Sequence, residues 1–113
     1  MTLNNSREDC QEMLDQGFSE GGYESLPTRM LPILYGYVVD GRQPGSFLQA
    51  VIENNLNHAL MFADTENFAV LKSWSQFFYD HTPAQCWGSR EIMQAYIQAK
   101  KDEILRASNG AAH

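Results

Sequence analysis

The chain has little of what chemistry is usually built from. Its 113 residues include two cysteines, Cys10 and Cys86, and no CxxC. That excludes a disulfide framework and a cysteine-based zinc site. The three histidines, His58, His81 and His113, form no HxxxH or HExxH, so no histidine metal pair is encoded. Positive charge is scarce: eight Lys and Arg face fourteen acids, for a net charge of −6. Phosphate contacts need Lys and Arg, so this balance disfavours nucleic acid as a partner. Long apolar runs are missing too. The longest, "LPILYGYVV", is too short to span a bilayer and is broken by Pro32 and Gly36. No basic-then-apolar signal segment opens the sequence, and nothing repeats at a solenoid period. The expectation is a cytoplasmic protein without cofactor, metal or membrane contact, and not an enzyme.

What is present is a core. An apolar fraction of 43% with 12% aromatics marks a folded domain rather than a disordered tail. Acidity is concentrated at the start, where Glu8, Asp9, Glu12, Asp15, Glu20 and Glu24 face Arg7 alone. Residues 25–113 hold eight acids and seven bases, close to neutral. The plain reading of that segment is a solvated helix face. The functional one is a surface aimed at a basic partner, with Glu8, Asp9, Glu12 and Asp15 as the contact. The chain divides into an acidic helix and loop over 1–25, a helical core domain over 26–107 and a disordered tail over 108–113.

Punctuation predicts an all-α fold, a single compact bundle of about five helices. Ser6, with Asp9 three positions on, caps a helix over about 7–16 that stops at Gly17. Its thin apolar edge of Cys10, Met13 and Leu14 predicts a surface or fraying helix. The loop "GFSEGGYESLP" follows, tacked down by Phe18 and Tyr23. Pro32 costs roughly 3 kcal/mol inside a helix, so it belongs in the first turn of one that ends at Gly41. A helix from Pro27, kinked at Pro32, is the alternative. Pro44-Gly45 makes a turn, and Ser46 is the expected cap of the next helix. Leu48, Val51, Ile52, Asn55, Leu56, Ala59, Leu60 and Ala63 form its apolar stripe, with Asn55 buried and bonded to backbone. One helix over 47–63 and two broken near 54–57 both satisfy the pattern. Asp64 caps a broadly apolar central helix bearing Phe68, Trp74, Phe77 and Phe78, which ends before Pro83. Ser89 caps the last helix, whose inner face is Ile92, Met93, Tyr96, Ile97 and Ile104.

Three chemical readings can be weighed for this bundle. Cys86 near a helix start with His81 five residues away suggests a thiol nucleophile, though a buried apolar cysteine fits as well. "GRQPGS" suggests an anion loop at residues 42–46, but the spacing and lysine of GxxxxGK[ST] are missing. Helix, glycine turn, helix suggests a helix-turn-helix DNA reader. Yet Arg42 is the only base between Arg29 and Lys72, which leaves little to grip phosphate.

Residues 26–97 carry a recognisable pattern of blocks. Tyr37, Val38, Gly41, Pro44, Gly45, Ser46, Phe47, Leu48, Ala50, Val51, Asn54 and Leu56 fit "YV…G…PGSFL.AV..N.L". Ala63, Asp64, Glu66, Asn67 and Leu71 fit "AD.EN...L". Phe77, Tyr79 and Pro83 fit an aromatic block, and Trp87, Gly88, Ser89 and Glu91 fit "CWGS.E". In these the chain resembles a family of small, mostly uncharacterised proteins encoded by bacteriophages and prophages. The resemblance implies a phage origin and carries no activity. By analogy with small phage proteins that lack enzyme signatures, it implies stoichiometric binding to a host or phage protein, including defence systems such as CRISPR effectors. The helix-turn-helix regulator is the alternative.

Overall fold

Capping side chains and backbone breaks decide where each helix of this chain begins and ends. The computed structural model describes residues 6–111, with side chains for residues 6–107, and among these every regular element is helical. The first helix, α1, spans Arg7–Ser19. Ser6 Oγ accepts the Asp9 N–H at 3.1 Å while the Asp9 carboxylate accepts the Ser6 N–H at 3.2 Å, a complete capping box. The helix does not stop at Gly17. It continues to Ser19, and Glu20 closes it with an N–H to the Gln16 carbonyl. Gly17 has a packing role: a Cβ there would sit 2.6 Å from Phe77 Cε2 and 2.9 Å from His81 Cγ. Because the neighbouring helix comes this close, the thin edge of α1 suffices. Cys10 and Leu14 are fully buried, so the helix expected at the surface belongs to the core it shares with Leu34, Trp74 and Tyr96.

A 3-10 turn, Thr28–Met30, leads into α2, Leu31–Asp40, with Pro32 in the first turn, the simpler of the two expected solutions. Gly41 closes α2 at φ 72°, its N–H bonded to the Tyr37 carbonyl and that of Arg42 to the Gly36 carbonyl. Next comes α3, Ser46–Ile52. Its cap position is Gly45, not Ser46, and no side chain caps it. Ser46 is already inside the first turn, so its hydroxyl cannot play the expected capping role.

Asn54 adopts a left-handed φ of 61° and ends the run. The chain restarts as α4, Leu56–Phe62, with Asn55 Oδ1 accepting the His58 N–H at 3.2 Å. Of the two expected solutions this is the broken one. The break also resets the helical phase. Leu56 and Leu60, expected on the buried stripe, are exposed, and Ala59 is the buried residue of α4. Asn55 bonds backbone at the restart as expected but is half-buried rather than buried.

Asp64 caps α5, Thr65–Ala69, by accepting the Asn67 N–H at 2.8 Å. Val70 leaves helical geometry, and α6 runs Leu71–His81. The two breaks bring the helices to seven among the described residues, against about five expected. The second break turns Phe68 outward and Asn67 inward. Asn67 Oδ1 accepts the Trp74 Nε1–H at 3.0 Å, so the two buried polar groups satisfy each other. Trp74, Phe77 and Phe78 are buried, which makes α6 the central helix the pattern anticipated.

A second 3-10 turn, Ala84–Cys86, leads to α7, Arg90–Ala111, capped by Ser89 Oγ on the Ile92 N–H at 3.1 Å. Met93, Tyr96 and Ile97 face the core, whereas Ile92 and Ile104 do not. Beyond Lys100 every side chain to residue 107 is exposed except the half-covered Glu103, because among the described residues no helix lies over that end. The helix continues through residues 108–111 of the expected tail, and residues 112–113 lie outside the described residues. In packing, α1 lies on α2 and α6, α7 on α2, and α3 on α4 and α6.

Urea denaturation separates these roles. Ser46→Ala is expected to change stability by less than about 0.5 kcal/mol, while Asp64→Ala, which loses a true cap, costs about 1 kcal/mol. Gly17→Ala raises helix propensity yet is expected to cost about 1–3 kcal/mol, since its methyl collides with Phe77 and His81. Trp74→Ala is expected to cost about 3–5 kcal/mol.

Candidate interaction surface

Single apolar side chains at a protein surface are ordinary, but several on one short element are not. On α4, Leu56 is 65% exposed, Met61 74%, Phe62 51% and Leu60 41%. Ala59 alone anchors the helix inward, chiefly against α3. No Asp, Glu, Lys or Arg occurs from Asn54 through Ala63. Beside Leu56 lies a groove of about 80 Å³ lined by Ala50, Val51, Ala59, Leu71 and Ser75. On the other flank the His58 ring packs edge-on to Phe62, and Phe62 borders a cleft with Ile33 and Phe47. Arg29 marks the edge of this cleft, bonded to Asp64 and, at 3.0 Å, to Glu66. The Asn67 N–H, and then Arg29, hold the Asp64 carboxyl below the usual carboxylate range. The arrangement is a short helix with apolar side chains spread around its exposed side, shallow holes on two flanks and a fixed polar edge.

The acidic residues singled out from sequence all lie exposed on α1, but they do not act alike. Asp9 belongs to the capping box. Asp15 accepts the Tyr35 O–H at 2.7 Å and the Gln11 side chain at 3.3 Å. Burial, and then this bond, push the Tyr35 hydroxyl well above its ordinary pKa. Glu8 and Glu12 have no partner among the described residues. Arg7, the one base of the segment, is drawn away to Asp40 on α2. Half of the predicted contact is therefore structural, and the free charge is Glu8 with Glu12.

The other sequence candidates disperse. Cys86 is fully buried and burial pushes its thiol up to about 12, the wrong direction for a nucleophile. His81 packs its ring against Tyr23 and Phe77. Arg42 lies along Gly36 and is 4.0 Å from Asp40. The helix that would read DNA, α3, buries Phe47, Leu48, Ala50 and Ile52. Gln49 of this helix bonds Gln43 and Glu53, and Glu53, just after it, pairs with Arg90 at 3.9 Å. Among the described residues no group of three His, Cys, Asp or Glu is placed to hold a metal ion, and no helix is long and apolar enough to cross a membrane.

No family model, curated protein or solved structure matches this chain. The surface must therefore be argued from its own residues. One signal in the sequence points to α4: Leu60, Met61 and Phe62 are consecutive, and three successive residues cannot all face inward on one helix.

The split between free and structural acids is measurable. Glu12→Gln is expected to leave stability within about 0.5 kcal/mol of the parent. Asp9→Ala, which removes half of the capping box, is expected to cost about 1 kcal/mol. Chemical denaturation of the two variants at low ionic strength checks both.

Proposed function

We propose that this protein works stoichiometrically, by binding another protein, and that the exposed apolar side chains of α4 are the contact. The observation that carries the reading is the exposure of Leu56, Leu60, Met61 and Phe62 on one uncharged helix. A Leu, Met or Phe side chain is worth about 1.5–3 kcal/mol on full burial, so even two of these side chains hold several kcal/mol for a partner that covers them. Aromatic and Met side chains are also the types enriched where protein interfaces are driest. The free carboxylates of Glu8 and Glu12, within a chain of net charge −6, favour a partner with a basic surface and speed its approach. The resemblance of residues 26–97 to small phage-encoded proteins supports a host or phage protein in the bacterial cytoplasm as that partner. The scarcity of positive charge weighs against a DNA regulator, as does the engagement of Gln49 on α3 with Gln43 and Glu53.

Capture from bacterial lysate is the test, with wild type compared to a Met61→Glu, Phe62→Glu double variant. Both positions are exposed, so the variant is expected to keep its melting temperature. One species retained by wild type at fixed stoichiometry, and lost with the variant, is the expected result. Equal retention by both would remove α4 from the interface. Sub-micromolar, sequence-selective DNA binding at physiological salt would replace this reading with the helix-turn-helix alternative.

A further inference from the structure

Lys100 breaks a general rule. Lysine keeps its ammonium group in water by extending along apolar surface. Here the residue is fully buried on α7. Two neighbours enclose it. Gly41 has no side chain, and a Cβ there would lie 2.5 Å from Lys100 Cβ, so α7 presses against the end of α2. Tyr96, one turn earlier, sets its ring centroid 5.7 Å from Nζ. The polar contacts of Nζ are Cys10 Sγ at 3.7 Å and Glu103 Oε2 at 3.7 Å. Both exceed the roughly 2.8 Å of a charge-assisted hydrogen bond. A buried amine thus faces a buried thiol without being well satisfied by anything else. Glu103 also borders an open groove of about 480 Å³, shared with Arg7 and Asp40, which brings small solutes to the edge of the pair.

The geometry points to a covalent redox site in which Cys10 Sγ and Lys100 Nζ become joined through a single oxygen atom. The oxidant is dioxygen. One of its atoms forms the new S–O and O–N bonds, and the other leaves as water with the thiol hydrogen and one amine hydrogen. Sulfur and nitrogen each give up two electrons, which together reduce the dioxygen. Of the two hydrogens then left on an ammonium nitrogen, one stays in the S–O–NH link and the other passes as a proton to the Glu103 carboxylate. The sulfur and nitrogen already touch, so an intervening oxygen is accommodated by a modest side-chain shift. Oxidised sulfur commonly ends bonded to the nearest nucleophile, and here the amine in contact is Lys100. Cys86 has no amine within hydrogen-bond reach among the described residues and serves as an internal control. The bridge would tie α1 to α7, closing the chain between residues 10 and 100.

Intact mass spectrometry of the full chain decides this, comparing protein kept anaerobic with protein held in air-saturated buffer. The expected change is the gain of one oxygen and the loss of two hydrogens, reversed by dithiothreitol. Trypsin should then yield a linked pair of peptides, 8–29 with 91–101, since the bridge blocks cleavage after Lys100. The oxidised form should melt at higher temperature than the reduced form. Cys10→Ser should abolish the mass change and Cys86→Ser should leave it. An unchanged mass, oxygen added without a linked peptide, or loss of two hydrogens alone as in a Cys10–Cys86 disulfide would each overturn the proposal.

Discussion

The end of α2 at Gly41 leaves nothing between that helix and α7, and most of the fold is arranged around this close approach. With a side chain at Gly41 the two backbones would have to separate by the width of Lys100 Cβ. Because they do not, the Tyr96 hydroxyl reaches the Val38 carbonyl inside α2, and the Tyr37 hydroxyl reaches the Cys86 carbonyl at 2.6 Å in the linker ahead of α7. Two phenols thereby satisfy two backbone oxygens in the interior, where an unpaired one costs about 1–3 kcal/mol. Burial carries both hydroxyls far above their ordinary pKa, so they remain donors at any physiological pH. The same approach sinks Lys100 to where it meets Cys10, which fixes α1 as a core helix. Arg7 at the start of α1 closes the arrangement by pairing with Asp40, just before Gly41.

What could be read from the sequence was what is decided locally. Ser6 with Asp9, Pro32, Gly41, Asp64 and Ser89 act through their own backbone within a few residues, and each performs the role its chemistry suggests. Ser46 misled because Gly45 takes the cap conformation first, and a one-residue offset removes the hydroxyl from reach. Apolar periodicity was less informative. It anticipates a stripe but not a left-handed residue such as Asn54 that rotates the next helix, nor whether a neighbouring helix exists to cover it. Leu56, Leu60 and Ile104 are exposed for those two reasons. Asn67 was missed for a related one, since its buried position depends on the indole of Trp74 one helix later.

The candidate surface was legible mainly in its charged part, with the consecutive Leu60, Met61 and Phe62 the one hint of the rest. Acidic residues announce themselves in any sequence, but whether Asp9 and Asp15 are free depends on a cap and on Tyr35, twenty residues on. The apolar part required the phase break to be known. Lys100 was invisible altogether, because a lysine on an amphipathic helix reads as solvent-facing until the partner helix is seen to end in glycine.

The two surface features act at different ranges and constrain each other. An apolar face on a small protein would ordinarily promote self-association. A net charge of −6 opposes it, since like-charged copies repel within about a Debye length. The same field attracts a basic chain over about a Debye length, 8 Å at physiological ionic strength. In the proposed complex, contact with the exposed Met61, Phe62 and Leu56 would set how long the pair persists, because most differences between related complexes lie in dissociation. Charge concentrated on α1 and absent from residues 54–63 is thus a consistent division of labour. In the complex proposed above, the acidic helix would select which surfaces come near, and the apolar helix which of them stay.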